Sequence, residues 1–437
     1  MTSSHASPAN SSLLSRIPNI SRSDTHVRIY VLVALGLAVW ELACLYFVLA
    51  VYRTDIYSLS YYAANYNFGF VRRGLGGELI RIFGDDHYFT AAYASMWVPA
   101  VAWLIALALL ILTILSRGTR SERRMMLALL VPVLPFSLAY AIFSPRPELL
   151  GMSALAGLGM ALTWIRAPRP RIAFSALYGI AIASLALIHE AIPLELALGA
   201  ILAIIVLAKD TTAAVRRICA AVAVGPGIVT MFLVARLGRR DVATQLCAQL
   251  PHRMIEDPYA ALTSRQKTID YVLGRVESRT DYHDFECHVI SQLDRSFTQA
   301  IVSVTQVGFV PLGASFILGV LMFAGTTWVI RYFSGVPVGT FLRETRGKWA
   351  LPLLALASMV LLFMTASDWT RWWVLITFDV AVVYILYAID RPEIEQTPSR
   401  RTVAAFVVVI ALLAIPTGHT SHVGGPGIPS GPPAAVQ

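Results

Sequence analysis

The chain has 437 residues, 57% of them hydrophobic and only 14% charged, and it carries a formal net charge of +9. With a mean hydropathy of +0.65 it has too few polar residues to cover a soluble protein of this length. The basic surplus is sorted by loop rather than gathered into one patch, which excludes a nucleic-acid footprint.

The first 26 residues are rich in Ser and Asn without apolar periodicity and are expected to form a disordered tail. Apolar runs then recur at 29–51, 91–115, 126–144, 149–165, 172–188, 192–208, 218–237, 307–330, 349–366, 374–389 and 402–417. Each is long enough to cross about 30 Å of hydrocarbon as a helix, and in lipid a spanning backbone must satisfy its own hydrogen bonds. The expected fold is therefore an all-α polytopic bundle of about eleven spans over 27–417, in which 172–208 reads either as two spans or as one broken hairpin. The first run is too long for a signal-peptide core and is expected to be retained. Residues 418–437, rich in Gly and Pro, are expected to be a second disordered tail, extracytoplasmic if the span count holds.

Charge sets the orientation. If the N-terminus is inside, the inner loops hold 20 of the 35 Lys and Arg and only seven acids: Asp24, Glu122, Asp210, Glu344, Asp390, Glu393 and Glu395. This is the positive-inside pattern, with N-terminus in and C-terminus out. Arginine exceeds lysine 32 to 3, as GC-rich bacterial genomes favour, so the expected location is a bacterial cytoplasmic membrane.

Two outer segments, 52–90 and 238–306, exceed simple connections. The first is expected to hold short helices over Ser58–Tyr66 and from Gly77 through Phe83, the latter with the pattern of an interfacial helix. The second reads as two amphipathic helices over 258–279 and 284–300. Cys247 and Cys287 share this second segment, where an oxidising compartment permits a disulfide.

Acids stand beside bases in most of the outer loops. The first segment has Asp55 and then Arg72 and Arg73 within Phe-Val-Arg-Arg-Gly; the next has Arg146 and Glu148; the third has His189 and Glu190, followed by Glu195; a later one has Asp368, Arg371 and Trp372. Ionisable groups at a membrane edge are costly and face a cavity or one another. Arg72 and Arg73 fit lipid headgroups, or a phosphate cradle completed by the amides of a helix start after Gly76. Asp368 and Arg371 at helical spacing fit a mutual pair, and the tryptophans fit an aromatic belt or a sugar-stacking face. Asp85-Asp86-His87 and the run from His283 to His288 carry metal-type donors in patterns expected of solvated surface, so no metal site is assigned. Glu41 and Asp379 lie inside spans, in structural hydrogen bonds or on a proton path.

An Asp directly after the first span, a long first outer loop with interfacial helices, and a second acid at the next outer turn resemble the GT-C superfamily. These are polytopic glycosyltransferases that use polyprenyl-phosphate-linked sugars at the outer face. The Phe-Val-Arg-Arg-Gly, His-Glu and Asp-Trp-x-Arg-Trp segments are similar to those of exopolysaccharide and O-antigen polymerase-type membrane proteins. The resemblance places Asp55 and Glu148 at the catalytic acids, although no Asp-Asp or Asp-x-Asp pair stands at position 55. It implies as partners membrane lipid and a polyprenyl-phosphate-linked sugar, and it leaves the cofactor open, a divalent metal being compatible but not indicated. The rival expectation is a multi-span transporter of a small molecule or lipid-linked substrate, with Glu41 and Asp379 as coupling residues.

Overall fold

The computed structural model describes residues 25–52, 56–119, 121–261 and 264–415. Residues 1–24 of the expected N-terminal tail, the whole expected tail at 418–437, and Asp55 lie outside the described residues, whereas Thr25 and His26, expected in the first tail, open the first helix. All eleven apolar segments are helical, and the fold is a helical membrane bundle. Among the described residues six helices are long and apolar enough to cross a membrane: His26–Val51, Asp85–Ser116, Glu122–Phe143, Ala213–Leu237, Phe309–Ser334 and Trp369–Ala388. Glu148–Trp164, Ile192–Val206 and Ala350–Thr365 are shorter apolar helices.

In chain order, α1 (Thr25–Phe47) ends in a π-helical turn at Val48–Tyr52, and α2 (Ile56–Leu59) and α3 (Gly74–Arg81) belong to the first loop segment. The helix α4 (Tyr88–Ser116) returns across the bundle, followed by α5 (Glu122–Leu130) and α6 (Leu138–Phe143). These two are one expected span, interrupted where Pro132 and Pro135 remove backbone donors. The next helices are α7 (Glu148–Trp164) and α8 (Pro168–Ala186), then α9 (Ile192–Glu195) and α10 (Ala197–Val206), and α11 (Ala213–Leu237). The segment 172–208 is thus two helices joined by a turn, and the second of them breaks at Leu196.

The second loop segment departs from expectation. It folds as α12 (Ala243–Cys247), β1 (Met254–Glu256), α13 (Pro258–Ala261), α14 (Arg265–Val272), β2 (Arg279–Asp281), α15 (Tyr282–Ser291) and α16 (Phe297–Val307). The strands form an antiparallel pair, Met254 facing Asp281. Local capping explains the breaks, because Ser264, Asp281 and Ser296 each accept a backbone N–H that opens a new helix. Cys247 and Cys287 are disulfide-bonded with Cα atoms 5.0 Å apart, so α12 is tied to α15. The remaining helices are α17 (Phe309–Ser334), α18 (Val338–Glu344), α19 (Ala350–Thr365), α20 (Trp369–Ala388) and α21 (Arg400–Leu413).

The centre of the bundle is α20, buried almost without interruption from Thr370 to Ala388, with the wholly buried α10 against it. Outer helices instead expose large apolar side chains, among them Leu32 on α1, Phe232 on α11 and Leu321 on α17, as lipid-facing surfaces do. The basic loops meet at one end. There Asp390 binds Arg117 at 3.0 Å and Lys209 at 3.3 Å, Arg124 binds Glu395 at 2.8 Å, and Arg123 donates to the carbonyls of Tyr332 and Phe333 at the end of α17. Several of the few acids in these loops therefore serve as structural partners.

The charge sorting predicts that the basic end is cytoplasmic. Single-cysteine variants at Lys267 and Arg346 test this with a membrane-impermeant thiol reagent on intact cells, since the native cysteines are buried or disulfide-bonded. Labelling at 267 and protection at 346 is the expected result, and the reverse pattern would overturn the orientation.

Candidate functional site

At the opposite end, side chains from four separate loops converge. Arg371, on the first turn of α20, donates from Nη1 to Glu148 Oε1 at 3.0 Å and pairs through Nη2 with Asp368 Oδ2 at 2.9 Å. Arg146 approaches Asp368 Oδ2 at 3.7 Å, and Tyr140 donates to Glu148 Oε1 at 3.4 Å. Arg146, Glu148, Asp368 and Arg371 are all buried, Glu148 completely. Pro145 and Pro147 flank Arg146 and stiffen the approach to α7, while Glu148 opens that helix, where the helix dipole favours an acid. Removing one member of such a buried pair leaves the other uncompensated, at a cost of about 3–5 kcal/mol.

Next to this group lies a histidine bridge. His189 Nε2 stands 3.8 Å from Glu195 Oε1, and His189 Nδ1 stands 3.8 Å from Glu190 Oε2. The imidazole also meets the Tyr61 ring edge-on, with centroids 5.1 Å apart. Glu190 in turn takes two arginines: Arg72 donates to Oε1, and Arg73 Nε donates to Oε2 at 3.0 Å. This part is the mouth, for the side chains of Arg72, Arg73 and Glu190 keep 29%, 19% and 20% of their exposure while those behind them are closed off.

Local sequence accounts for the placement of the mouth. Arg73 caps α3 in the left-handed conformation, at φ 60°, a costly position for a residue with a side chain. Glycines at 76 and 77 let α3 lie against the 60–64 turn; a Cβ at Gly76 would sit 2.3 Å from the Tyr61 carbonyl, and one at Gly77 would sit 2.2 Å from that of Ala64. The expected amide cradle is corrected here. The Leu75 and Gly77 amides donate to the carbonyls of Leu187 and Ala64, so these glycines serve packing, and of the expected cradle only the two guanidiniums remain.

Trp372 also differs from a sugar-stacking platform. It is 1% exposed and lies beneath the Arg371 guanidinium, 4.2 Å from ring centroid to Cζ. Trp369 and Trp373 pack against Phe316 and Phe363 instead. Among the remaining candidates, Asp85, Asp86 and His87 are exposed. Two sets of metal-type donors, Cys247–His283–Cys287 and His252–Asp281–Asp284, lie in the second loop segment; the first contains the disulfide, and Asp281 caps α15.

Sequence reasoning missed Tyr57, Tyr61, Tyr140 and the 236–240 arginines. Arg146 lies over the Tyr57 ring and Arg73 over the Tyr61 ring. Arg239 donates from its amide to the Phe70 carbonyl at 2.7 Å, and forms a parallel bridge with Val71. A signal for it existed, because Arg236, Arg239 and Arg240 break the charge sorting just as Arg72 and Arg73 do.

Many buried polar atoms of the cluster have no hydrogen-bond partner among the described residues. They include Ser144 Oγ, Glu148 Oε2, both nitrogens of His189, both carboxylate oxygens of Glu195, Thr370 Oγ1, Arg371 Nε and Trp372 Nε1. Native proteins rarely leave such groups orphaned, and concentrating them in one place marks a site for a polar ligand or ordered water.

Residues 30–414 match the family described as uncharacterised membrane protein Rv1490. The chain belongs to that family. The uncharacterized proteins Rv1490 of Mycobacterium tuberculosis and Mb1527 of Mycobacterium bovis are each 57% identical to it over 404 residues, covering 92% of this chain and 93% of the relative. No solved structure matches the chain. A multi-pass membrane protein with mycobacterial relatives is thereby established.

Titration at the mouth gives a separable signature. Burial pushes the His189 imidazole down, against a counterpull from Glu190. Burial pushes the Glu190 carboxyl up, but Arg72 and Arg73 outweigh it and hold the group well below the usual carboxylate range. Both folded-state values are depressed, so both contributions are full at neutral pH and are lost on acidification. For His189 the loss begins below about 6.5, whereas for Glu190 it begins only below about 4.3. Between about pH 7 and pH 5, His189→Gln should therefore flatten the fall of Tm of the purified protein, and Glu190→Gln, which removes the counterpull on His189, should shift Tm without flattening that fall.

Proposed function

We propose that the family member described here is a glycosyltransferase or surface-polysaccharide polymerase working at the outer face of the cytoplasmic membrane with a polyprenyl-phosphate-linked sugar. The observation that carries this reading is the concentration of buried donors and acceptors without a hydrogen-bond partner among the described residues, inside a set of paired charges at the end opposite the basic loops. A sugar offers hydroxyls that donate and accept, and a phosphate offers oxygens for guanidiniums. The lipid-exposed helices around that end would hold a prenyl tail, and all eleven helices are taken to cross the bilayer.

In the proposed reaction, an acceptor hydroxyl oxygen bonds to the anomeric carbon while the bond from that carbon to the phosphate oxygen breaks. The hydroxyl proton passes to a carboxylate, and the prenyl phosphate leaves with the bonding electron pair. Asp55 is the base by its position in the resemblance, and it precedes Tyr57, whose ring underlies Arg146, by two residues. Glu148 orients and balances Arg371, and Arg72, Arg73 and Arg146 offset charge on the departing phosphate.

Transport remains the second reading because three acids, Asp379, Glu195 and Glu41, stand on helices of the bundle. Asp379 on α20 is fully buried against Gly199, where a Cβ would sit 2.5 Å from its Oδ1. Glu195 lies next to the break at Leu196, and interrupted helices with buried acids are a transporter feature. Glu41 lines a cavity with Cys44 beside the break between α5 and α6.

Glycan production in a bacterial strain carrying each variant at matched membrane abundance separates the readings. Asp55→Asn and Glu148→Gln are expected to abolish product. Arg73→Ala is expected to lose it, and Arg73→Lys to recover part, because lysine keeps the charge but not the planar fork. Asp379→Asn should leave product unchanged. Normal glycan from Asp55→Asn, Glu148→Gln and Arg73→Ala together would rule the transferase out, and loss from Asp379→Asn alone would favour transport.

A further inference from the structure

The two arginines assigned to the carrier phosphate are already engaged by Glu190. Their surroundings carry more positive charge than that one carboxylate balances. Arg239 is pinned to the same segment by its bonds to the Phe68 and Phe70 carbonyls, at 2.5 Å and 2.7 Å, and Arg236 and Arg240 flank it. In the sequence Asp241 follows this arginine run, and at the mouth itself two guanidiniums share the single Glu190 carboxylate.

The clamp has the form of an anion site rather than of a simple tether. Arg73 Nε and Nη2 present one edge to the two Glu190 oxygens, at 3.0 Å and 3.4 Å, and Arg72 reaches Oε1 from another direction. Two guanidiniums that bring three N–H donors onto one anion from two directions suit a tetrahedral phosphate at least as well as a planar carboxylate. Arg72 also donates from Nη1 to the Leu293 carbonyl at 3.3 Å, so its guanidinium has an anchor besides Glu190. The backbone that aims Arg73 is held in its left-handed conformation by the packing of α3. The donors are therefore positioned by the fold, and the acceptor is exchangeable.

We propose that Glu190 is an internal stand-in for the ligand's phosphate, closing the Arg72–Arg73 clamp until a phosphate or pyrophosphate group displaces it. The proposal rests on the phosphate-carrier reading above. In the resting protein the carboxylate neutralises the clamp and shuts the mouth over the buried charges behind it. On binding, the phosphate takes both guanidiniums, and the freed Glu190 swings toward solvent, where its charge is hydrated. Only a ligand with a phosphate group opens the way inward, which gives selectivity before any sugar is read.

The test is equilibrium binding to the purified full chain in nanodiscs, with a short-chain prenyl phosphate and inorganic pyrophosphate as separate probes. If a stand-in holds the competent state to roughly a tenth of molecules, removing it tightens binding about tenfold. Glu190→Gln should therefore bind prenyl phosphate about tenfold more tightly than wild type, and Arg73→Gln should bind it more weakly. Glu190→Asp, which keeps the charge but shortens its reach, should fall between wild type and Glu190→Gln and carries the test if the amide variant fails to fold. Tightening for prenyl phosphate alone identifies a lipid carrier, and equal tightening for pyrophosphate identifies recognition of the phosphate group by itself. Wild-type binding that neither Glu190 variant tightens overturns the stand-in while sparing the carrier reading. No binding of either probe by wild type or by either Glu190 variant overturns both.

Discussion

One guanidinium organises this protein. Arg371 sits at the head of the most deeply buried helix and divides its donors between Glu148 and Asp368. A charge in that position is tolerated only with partners close at hand. The partners must come from other loops, because α20 itself supplies none beyond Asp368 one turn away. The Pro-Arg-Pro-Glu turn is fixed against it, the His189–Glu190 turn is fixed against that, and the first loop segment closes the far side through Arg72 and Arg73. The bundle packs helices by apolar contact, but this chain of ion pairs sets the register of the loops at one end.

The two ends use charge differently. At the basic end, arginines cap helix carbonyls and bind the scarce acids, as with Arg123 on α17 and Arg124 on Glu395. Most of those groups are paired and peripheral. At the other end the charges are interior and shared among several partners, and they keep unspent hydrogen-bonding capacity. The first arrangement holds helices together. The second retains the electrostatic potential and the polar valences that binding chemistry needs.

Much of this was legible in the sequence. Hydropathy located every long helix, since apolar length is a property of contiguous residues. The charged loop motifs marked Arg72, Arg73, Arg146, Glu148, His189, Glu190, Asp368 and Arg371, and the structure brings these residues into one cluster. Partner identity was not legible: nothing in the sequence pairs Glu148 with a residue 223 positions away, because such pairing depends on how helices stack. The glycines after Arg73 suggested an anion cradle, yet they exist because two backbones touch. The second loop segment was read as two long helices, and Ser264 and Asp281 show why it is not: residues that cap helices start new ones. Trp372 has the composition of a sugar platform, and only its burial reveals that it supports Arg371.

The tie between the Phe-Val-Arg-Arg-Gly segment and the second loop segment has a consequence for how the molecule is made. Val71 bridges to Arg239, Arg72 donates to the Leu293 carbonyl, and α12 is fastened to α15 by Cys247 and Cys287. The strand of chain that aims Arg72 is synthesised long before the region that braces it, and the brace is completed only when two thiols have joined. A newly inserted chain therefore passes through a stage with its helices in place and its arginines unaimed. The mouth is completed late, after the second loop segment has been made and folded, so a half-made copy lacks its finished geometry.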